Sequence, residues 1–294
     1  MARILPVWRS SLYVPVIVER FVDKAHERGA DAVILDLEDS IPPAEKVRAR
    51  TLVTAAAAKV GRGGADVTVR VNREWRSCIA DLEAVVSPAV CGIILPKVAD
   101  ASHVRFVAEV LDELEAARGM EPGTTGIVAL IETPDALFQV RDIAGASPRM
   151  LGITLGGEDF AAACGMASDA DGLMQPSLQV AFAASAAGIL PLGFIGSIAD
   201  FTDLDGFRAM LMRSRRLGFC GGACIHPTQV AALNEAFTPT AEEIEHARGL
   251  LDIFDEALEK GLGAVTYRGK MIDIPIVQKA RRVIATDDAI RTSH

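Results

Sequence analysis

Strand and helix alternate eight times along this chain, which predicts an α/β protein of the (β/α)8 TIM-barrel class with a C-terminal helical extension. Three observations carry the expectation. Eight apolar runs of strand length lie between Ser11 and Pro227, helical periodicity fills the stretches between them, and 294 residues, half of them hydrophobic, suffice for one large core.

The strand-like runs are Ser11 to Val16, Ala30 to Leu37, Asp66 to Asn72, Gly92 to Lys97, Gly126 to Thr133, Leu151 to Gly156, Leu190 to Ser197 and Gly222 to Pro227. Helical spacing of Ala, Leu and Val marks, among others, Val18 to Arg28, Pro43 to Val60, Ser102 to Arg118, Pro134 to Ala144, Pro176 to Ala187 and Asp203 to Leu217. A doubly wound sheet, the competing topology, wants a Gly-rich first turn, and Val14-Pro15-Val16 is not one. After Pro227 the pattern changes. Amphipathic Ala241 to Lys260 ends at Gly261 to Gly263, a short extended pair surrounds Arg268-Gly269-Lys270, and a last helix runs from Pro275 to about Ile284. This divides the chain into a barrel, residues 1–237, and an extension or lid, residues 238–294, expected to pack on a neighbouring subunit.

Composition excludes several classes. A net charge of −9 and a pI near 5.1 give no support to nucleic-acid binding. The five cysteines are an odd number and imply neither a disulfide framework nor a zinc site, which fits a reducing cytoplasm. Arg9 and Glu19-Arg20 interrupt any signal-peptide core. Leu173 to Ala199 is uncharged and long enough to cross a bilayer, but Gly188, Pro191 and Gly193 divide it into a buried helix and a strand, so no membrane span is expected.

The polar residues gather at the ends of the strands. Leu151 to Phe160 (LGITLGGEDF) is an apolar run that stops at two glycines and two acids, and Gly126 to Thr133 closes on Glu132 before Pro134. In a parallel α/β protein the active site is built at the C-terminal strand ends, so two such carboxylates suggest a metal site; helix capping is the alternative. Strand 2 ends on Asp36, Glu38 and Asp39, strand 3 on Arg70 and Asn72, strand 4 on Lys97 and strand 8 on His226. Several acids beside an arginine resemble an oxygen-ligand Mg²⁺ site facing an anionic substrate. Arg70 suits a carboxylate clamp, or else a buried salt bridge to Asp36 or Glu38. His226 reads as a hydrogen-bonding wall residue before a general base. Tyr13, Arg20, Lys24, Lys46 and Arg50 read either as a phosphate-binding patch or as solvated helix faces.

Taken together, SLYVP, ADAVILDLEDS, VRVN, LPK, IETP, LGGEDF, CIHPTQ and GKMID, in that order, resemble the citrate lyase β-subunit-like family, which includes malyl-CoA and citramalyl-CoA lyases. The resemblance spans almost the whole chain. It implies a Mg²⁺-dependent carbon–carbon lyase acting on an acyl-CoA and a 2-oxo acid, assembled as a homotrimer or hexamer. Carried over by position, Glu132 and Asp159 are the metal ligands, Arg70 the substrate clamp, and Asp273 the acid that reaches a neighbouring subunit's site. Tyr13, Arg20, Lys24, Lys46, Arg50, Ile225 and His226 fall where that family contacts the CoA thioester. Two departures stand out: Val16 occupies a position where the family often has Gly, and His226 replaces the Asn common in subunits of the citrate lyase complex. GMEPGTTG and GLGAV resemble the complex subunit, so a β subunit acting on an acyl carrier protein stands as an alternative, as does a thioesterase, which needs only water in place of the carbon nucleophile.

Overall fold

The computed structural model describes residues 5–198 and 202–292. Eight strands form a single parallel sheet: β1 (Ser10–Pro15), β2 (Ala32–Asp36), β3 (Asp66–Arg70), β4 (Gly92–Leu95), β5 (Gly126–Ile131), β6 (Met150–Leu155), β7 (Leu190–Pro191) and β8 (Gly222–Cys224). They lie in the order β7-β6-β5-β4-β3-β2-β1-β8. The sheet curls until its two edges meet. Leu192 bridges to Gly221 in parallel, Cys220 N–H donates to the Pro191 carbonyl at 3.2 Å, and Gly193 N–H donates to the Gly221 carbonyl at 2.8 Å. The result is a TIM-barrel-like arrangement.

The strands are apolar on both faces, as a sheet wrapped in helices requires. Side chains alternate between two layers. Val33, Leu35, Val69, Ile93, Leu95 and Ile127 join the larger core that includes the helices, whereas Ala32, Ile34, Ile94, Val128 and Leu130 pack with Trp8, Leu151 and Leu192 in a second cluster. Trp8 is anchored by an Nε1–H bond to Asp66 at 2.7 Å.

The intervening helices are α1 (Glu19–Ala25), α2 (Lys46–Val60), α3 (Trp75–Val85), α4 (Ala101–Ala117), α5 (Pro134–Phe138), α6 (Val140–Ala144), α7 (Gly157–Cys164), α8 (Ala170–Ala187), α9 (Leu204–Arg216) and α10 (Pro227–Phe237). Asp100, Thr133, Asp169 and Asp203 cap α4, α5, α8 and α9 through side-chain oxygens, each such cap contributing about 1 kcal/mol. Among the described residues no helix is long and apolar enough to cross a membrane.

Some boundaries differ from the sequence expectation. Pro176 lies inside α8 rather than opening it, because Asp169 accepts from Gly172 N–H and starts the helix a turn and a half earlier. β7 is two residues long instead of running to Ser197, since Gly193 and Gly196 turn the backbone to φ 114° and 146°.

Residues 238–294 form a second compact unit, with residues 1–237 as the first. Thr240 and Glu243 make a reciprocal capping box at the start of α11 (Ala241–Glu259). A hairpin of β9 (Val265–Tyr267) and β10 (Lys270–Ile272) follows, turning at Arg268 and Gly269 with φ 47° and 76°. The last helix, α12 (Ile274–Thr292), runs two turns past the expected Ile284. Ala247, Leu250, Phe254, Ile272, Val277 and Ala280 supply this unit's own core.

Candidate active site

A cavity of about 880 Å³ opens at the C-terminal ends of the strands and descends into the barrel. Ile34, Ile94, Val128 and Leu130 line its apolar depth; Tyr13, Asp36, Arg70, Glu132, Glu158, Asp159 and His226 line its polar part. The sequence order of the strands thus brings residues from β1, β2, β3, β5, β6 and β8 to one place.

Glu132 follows β5 directly and is only 3 % exposed. Its Oε2 accepts the backbone N–H of Lys97. Burial, with the negative charges of Asp159 and Glu38 adding to it, pushes its carboxyl up to about 8 despite that hydrogen bond. Asp159 stands in the first turn of α7, exposed on the cavity wall. Two carboxylates that repel each other across a cavity form a hard-oxygen donor pair whose charge a divalent cation would neutralise. Among the described residues there is no group of three or more His, Cys, Asp or Glu arranged for a metal, so the remaining ligands of a cation here would be water and substrate oxygens, the manner in which Mg²⁺ is commonly held. Glu158, in the first turn of α7, lines the cavity and accepts from the Ser197 hydroxyl.

Arg70 at the end of β3 is held on several sides. Nε and Nη2 donate to the two oxygens of Asp36 at 2.7 and 2.8 Å, Nη1 lies 2.9 Å from Glu38 and 3.5 Å from Asp39, and the guanidinium carbon sits 4.9 Å from the centre of the Tyr13 ring. The bidentate fork read from sequence as a substrate clamp is therefore spent on Asp36, and the salt-bridge alternative describes that edge. Burial opposes ionisation of Asp36, but the Arg70 hydrogen bonds and the Ser40 hydroxyl outweigh it and hold the carboxyl below its ordinary range. The Tyr13 hydroxyl is driven upward by burial, against the pull of Arg70.

Lys97, which follows β4 and Pro96, adopts a left-handed backbone with φ 47°, a conformation costing a residue with a Cβ about 1–2 kcal/mol. Its Nζ donates to Glu38 Oε1 at 2.8 Å. Sequence reasoning placed Lys97 on the rim without a role; positive φ at a lysine leaves no sequence signal.

The residues expected to contact a CoA thioester fall into two groups. Tyr13, Arg20, Lys24, Ile225 and His226 line the cavity, joined by Arg28, which sequence reading overlooked although it follows Arg20 and Lys24 at helical spacing. Lys46 and Arg50 do not. The Lys46 ammonium is consumed by the carbonyls of Leu37 and Glu38 and by Asn72 Oδ1, while Arg50 donates to buried Asp81 at 2.6 Å. Asp81 in turn accepts from Asn72 N–H and Nδ2–H, both at 2.7 Å. These two cations belong to a network that joins α2 to α3 and do not line the cavity. His226 Nδ1 accepts Thr228 N–H at 3.3 Å, and buried Gln229 holds the loop by accepting from Ile225 and His226 N–H at 3.1 Å, as a wall residue would be held. Asp273 lies in the second unit, where its carbonyl starts α12 by accepting from Ile276 and Val277 N–H at 3.1 and 3.0 Å.

Residues 9–227 match the HpcH/HpaI aldolase/citrate lyase family. The L-malyl-CoA/beta-methylmalyl-CoA lyase of Rhodobacter capsulatus is 33% identical over 94% of this chain and 93% of its own length. The citrate lyase subunit beta of Escherichia coli K12 is 35% identical over 94% and 92%. Among solved structures, CitE from Mycobacterium tuberculosis in complex with magnesium, acetoacetate and coenzyme A superimposes with a TM-score of 0.74 and 27% identity, covering 95% of this chain and 97% of that one. The chain belongs to the HpcH/HpaI aldolase/citrate lyase family, and it is a carbon–carbon lyase.

Proposed function

We propose that this chain is a Mg²⁺-dependent (β/α)8-barrel lyase that reversibly cleaves a short 3-hydroxyacyl-CoA, such as citramalyl-CoA or malyl-CoA, into acetyl-CoA and a 2-oxo acid. The observation that carries the reading is the pair Glu132 and Asp159, opposed carboxylates beside Arg70 in one large cavity. Relatives named for malyl-CoA and for citrate, and a neighbour holding magnesium with coenzyme A, support it.

Glu132 and Asp159 would hold the cation. When bound, Mg²⁺ supplies Lewis-acid stabilisation of the charge that develops on the 2-oxo acid half. Arg70, with Asp36 fixing its Nε–Nη2 edge and Glu38 and Asp39 facing Nη1, would offer the substrate carboxylate the Nη2–H that Asp36 leaves free and the positive charge of the guanidinium. Arg20 and Lys24 on α1, with Arg28 just beyond its end, stand at the cavity where the phosphates of a CoA thioester would bring negative charge. Asp273 would move the proton that makes or quenches the acetyl-CoA enolate, delivered by residues 238–294 of a neighbouring subunit in a homotrimer or hexamer. The five cysteines are free thiols, which suits a cytoplasmic enzyme.

The test is release of 2-oxo acid from a panel of acyl-CoAs by the purified chain, with and without Mg²⁺, products being identified by mass spectrometry. Asp159→Ala should lose both Mg²⁺ binding and turnover. Free hydroxy acid and CoA as products would indicate a thioesterase. Activity confined to acyl carrier protein substrates would indicate a citrate lyase β subunit, a second reading favoured by the 35% identity to one.

A further inference from the structure

Lys97 ties three neighbouring strand ends together with three different atoms. Its N–H donates to Glu132 beyond β5, its carbonyl accepts from Arg73 Nε at 3.0 Å in the loop after β3, and its Nζ reaches Glu38 beyond β2 at 2.8 Å and Asp39 at 3.5 Å. The sheet ladder resumes one residue later, where Val98 N–H donates to the Leu130 carbonyl at 3.3 Å. The amide of Lys97 is thus withdrawn from the ladder and turned to a carboxylate, and the left-handed φ of 47° lets the chain leave that amide and rejoin the ladder at Val98. Glycine would take this backbone without strain but would bring no ammonium.

The ammonium has its own path to the site. Glu38 Oε1 receives Lys97 Nζ, while Glu38 Oε2 lies 2.9 Å from Arg70 Nη1. Glu38 is buried, so removal of either cation leaves it with the other alone. We propose that Lys97 is a positioning residue: its backbone sets the carboxylate of Glu132 and its side chain, through Glu38, sets the guanidinium of Arg70, so that cation and substrate carboxylate are held at one fixed spacing. The inference rests on the reading of Glu132 as a metal ligand and Arg70 as the substrate clamp.

Two variants separate the two arms. Lys97→Gly and Lys97→Val both delete the ammonium; glycine keeps the left-handed backbone, whereas a β-branched residue is driven out of it. Calorimetry of Mg²⁺ binding reads the backbone arm. Lys97→Val should weaken Mg²⁺ by about 10- to 100-fold, the usual effect of losing a hydrogen bond to a metal ligand, and Lys97→Gly should stay within about threefold of wild type. The condensation of acetyl-CoA with a 2-oxo acid reads the other arm: both variants should raise KM for the 2-oxo acid, and Lys97→Arg should restore part of it. If thermal melting shows that Lys97→Val does not fold, Lys97→Ala replaces it, since alanine is also disfavoured in this conformation. Equal Mg²⁺ affinities in the Gly and Val (or Ala) variants would overturn the backbone arm, and a wild-type KM in Lys97→Gly the side-chain arm. A wild-type protein that binds Mg²⁺ and turns over while the variants match it overturns this inference alone. A wild-type protein that binds no Mg²⁺ refutes the functional reading beneath it.

Discussion

Gly156 offers a sharp test of the Glu132 site, because the position is glycine for reasons of space and not of backbone conformation. Its φ and ψ are −82° and 84°, open to any residue. A methyl there would lie 2.4 Å from Cγ, 2.9 Å from Cδ and 2.8 Å from Oε1 of Glu132, whereas carbon atoms pack at about 3.5–4.0 Å. One side must yield by about 1 Å. The Gly156 backbone is pinned, donating to the Ile131 carbonyl and accepting from Phe160 N–H, both at 2.9 Å, so the carboxylate moves and leaves the Lys97 amide. Overpacking of this kind costs about 1–3 kcal/mol of stability, and a displacement of about 1 Å in a catalytic group costs roughly 100-fold in rate. Gly156→Ala should therefore melt somewhat lower, bind Mg²⁺ at least about tenfold more weakly, and release 2-oxo acid roughly 100-fold more slowly. Shortening the carboxylate by adding Glu132→Asp should recover stability lost to the clash. Calorimetry, a steady-state assay and thermal melting check the three effects. Mg²⁺ affinity and turnover within about threefold of wild type in Gly156→Ala would refute the placement of Glu132 as a ligand.

Four further outcomes are expected. Glu132 is raised from 4.5 to about 8; a carboxyl with a raised folded value favours folding below its unfolded value and loses that contribution as pH rises through the folded one, so metal-free protein should lose stability between about pH 5 and 8 relative to Glu132→Gln. Across the same window Mg²⁺ affinity should rise by up to about tenfold per pH unit as the proton competitor leaves; calorimetry at several pH values showing no such slope would contradict it. Arg70→Lys should reduce kcat/KM by well over about threefold and lower the melting temperature, because an ammonium cannot reproduce the paired bonds to Asp36; steady-state kinetics and melting read both. Co-expressed Asp273→Ala and Asp159→Ala chains should regain activity that neither has alone, and hybrid oligomers confirmed by native mass spectrometry without such activity would show that each subunit completes its own site.

The eight strands were legible because strands buried on both faces read as largely apolar runs, and the acids at their ends were legible because the centres of those runs hold few polar residues. The helices were less so. α7 begins at Gly157, inside the same LGGEDF that ends β6, leaving only Gly156 to separate the two patterns. The proline at 176, a residue that commonly opens helices, lies inside α8, whose opening cap is Asp169. Within the site, residue type suggested chemistry but not partner. Lys46 and Lys24 are indistinguishable as helix cations in sequence; only the fold turns one towards the carbonyls of Leu37 and Glu38 and leaves the other on the cavity wall. Arg70 shows the same limit, since a fork that suits a substrate carboxylate suits Asp36 equally well.

The short β7 gives the barrel a preferred place to breathe. β1 and β2 pair over five positions, but β7 pairs with β6 over two and meets β8 at a single bridge, where Pro191 has no N–H to give. Opening of a protein begins where the fewest bonds must break together. Amide protons of Leu190, Leu192, Gly193, Cys220 and Gly221 should accordingly exchange with deuterium sooner than those of β2 and β3, parting the wall between the sixth and eighth strands while the carboxylate-bearing half of the ring stays intact. A ligand trapped deep among Ile34, Ile94 and Val128 would then have a side exit that does not require the rim to come apart.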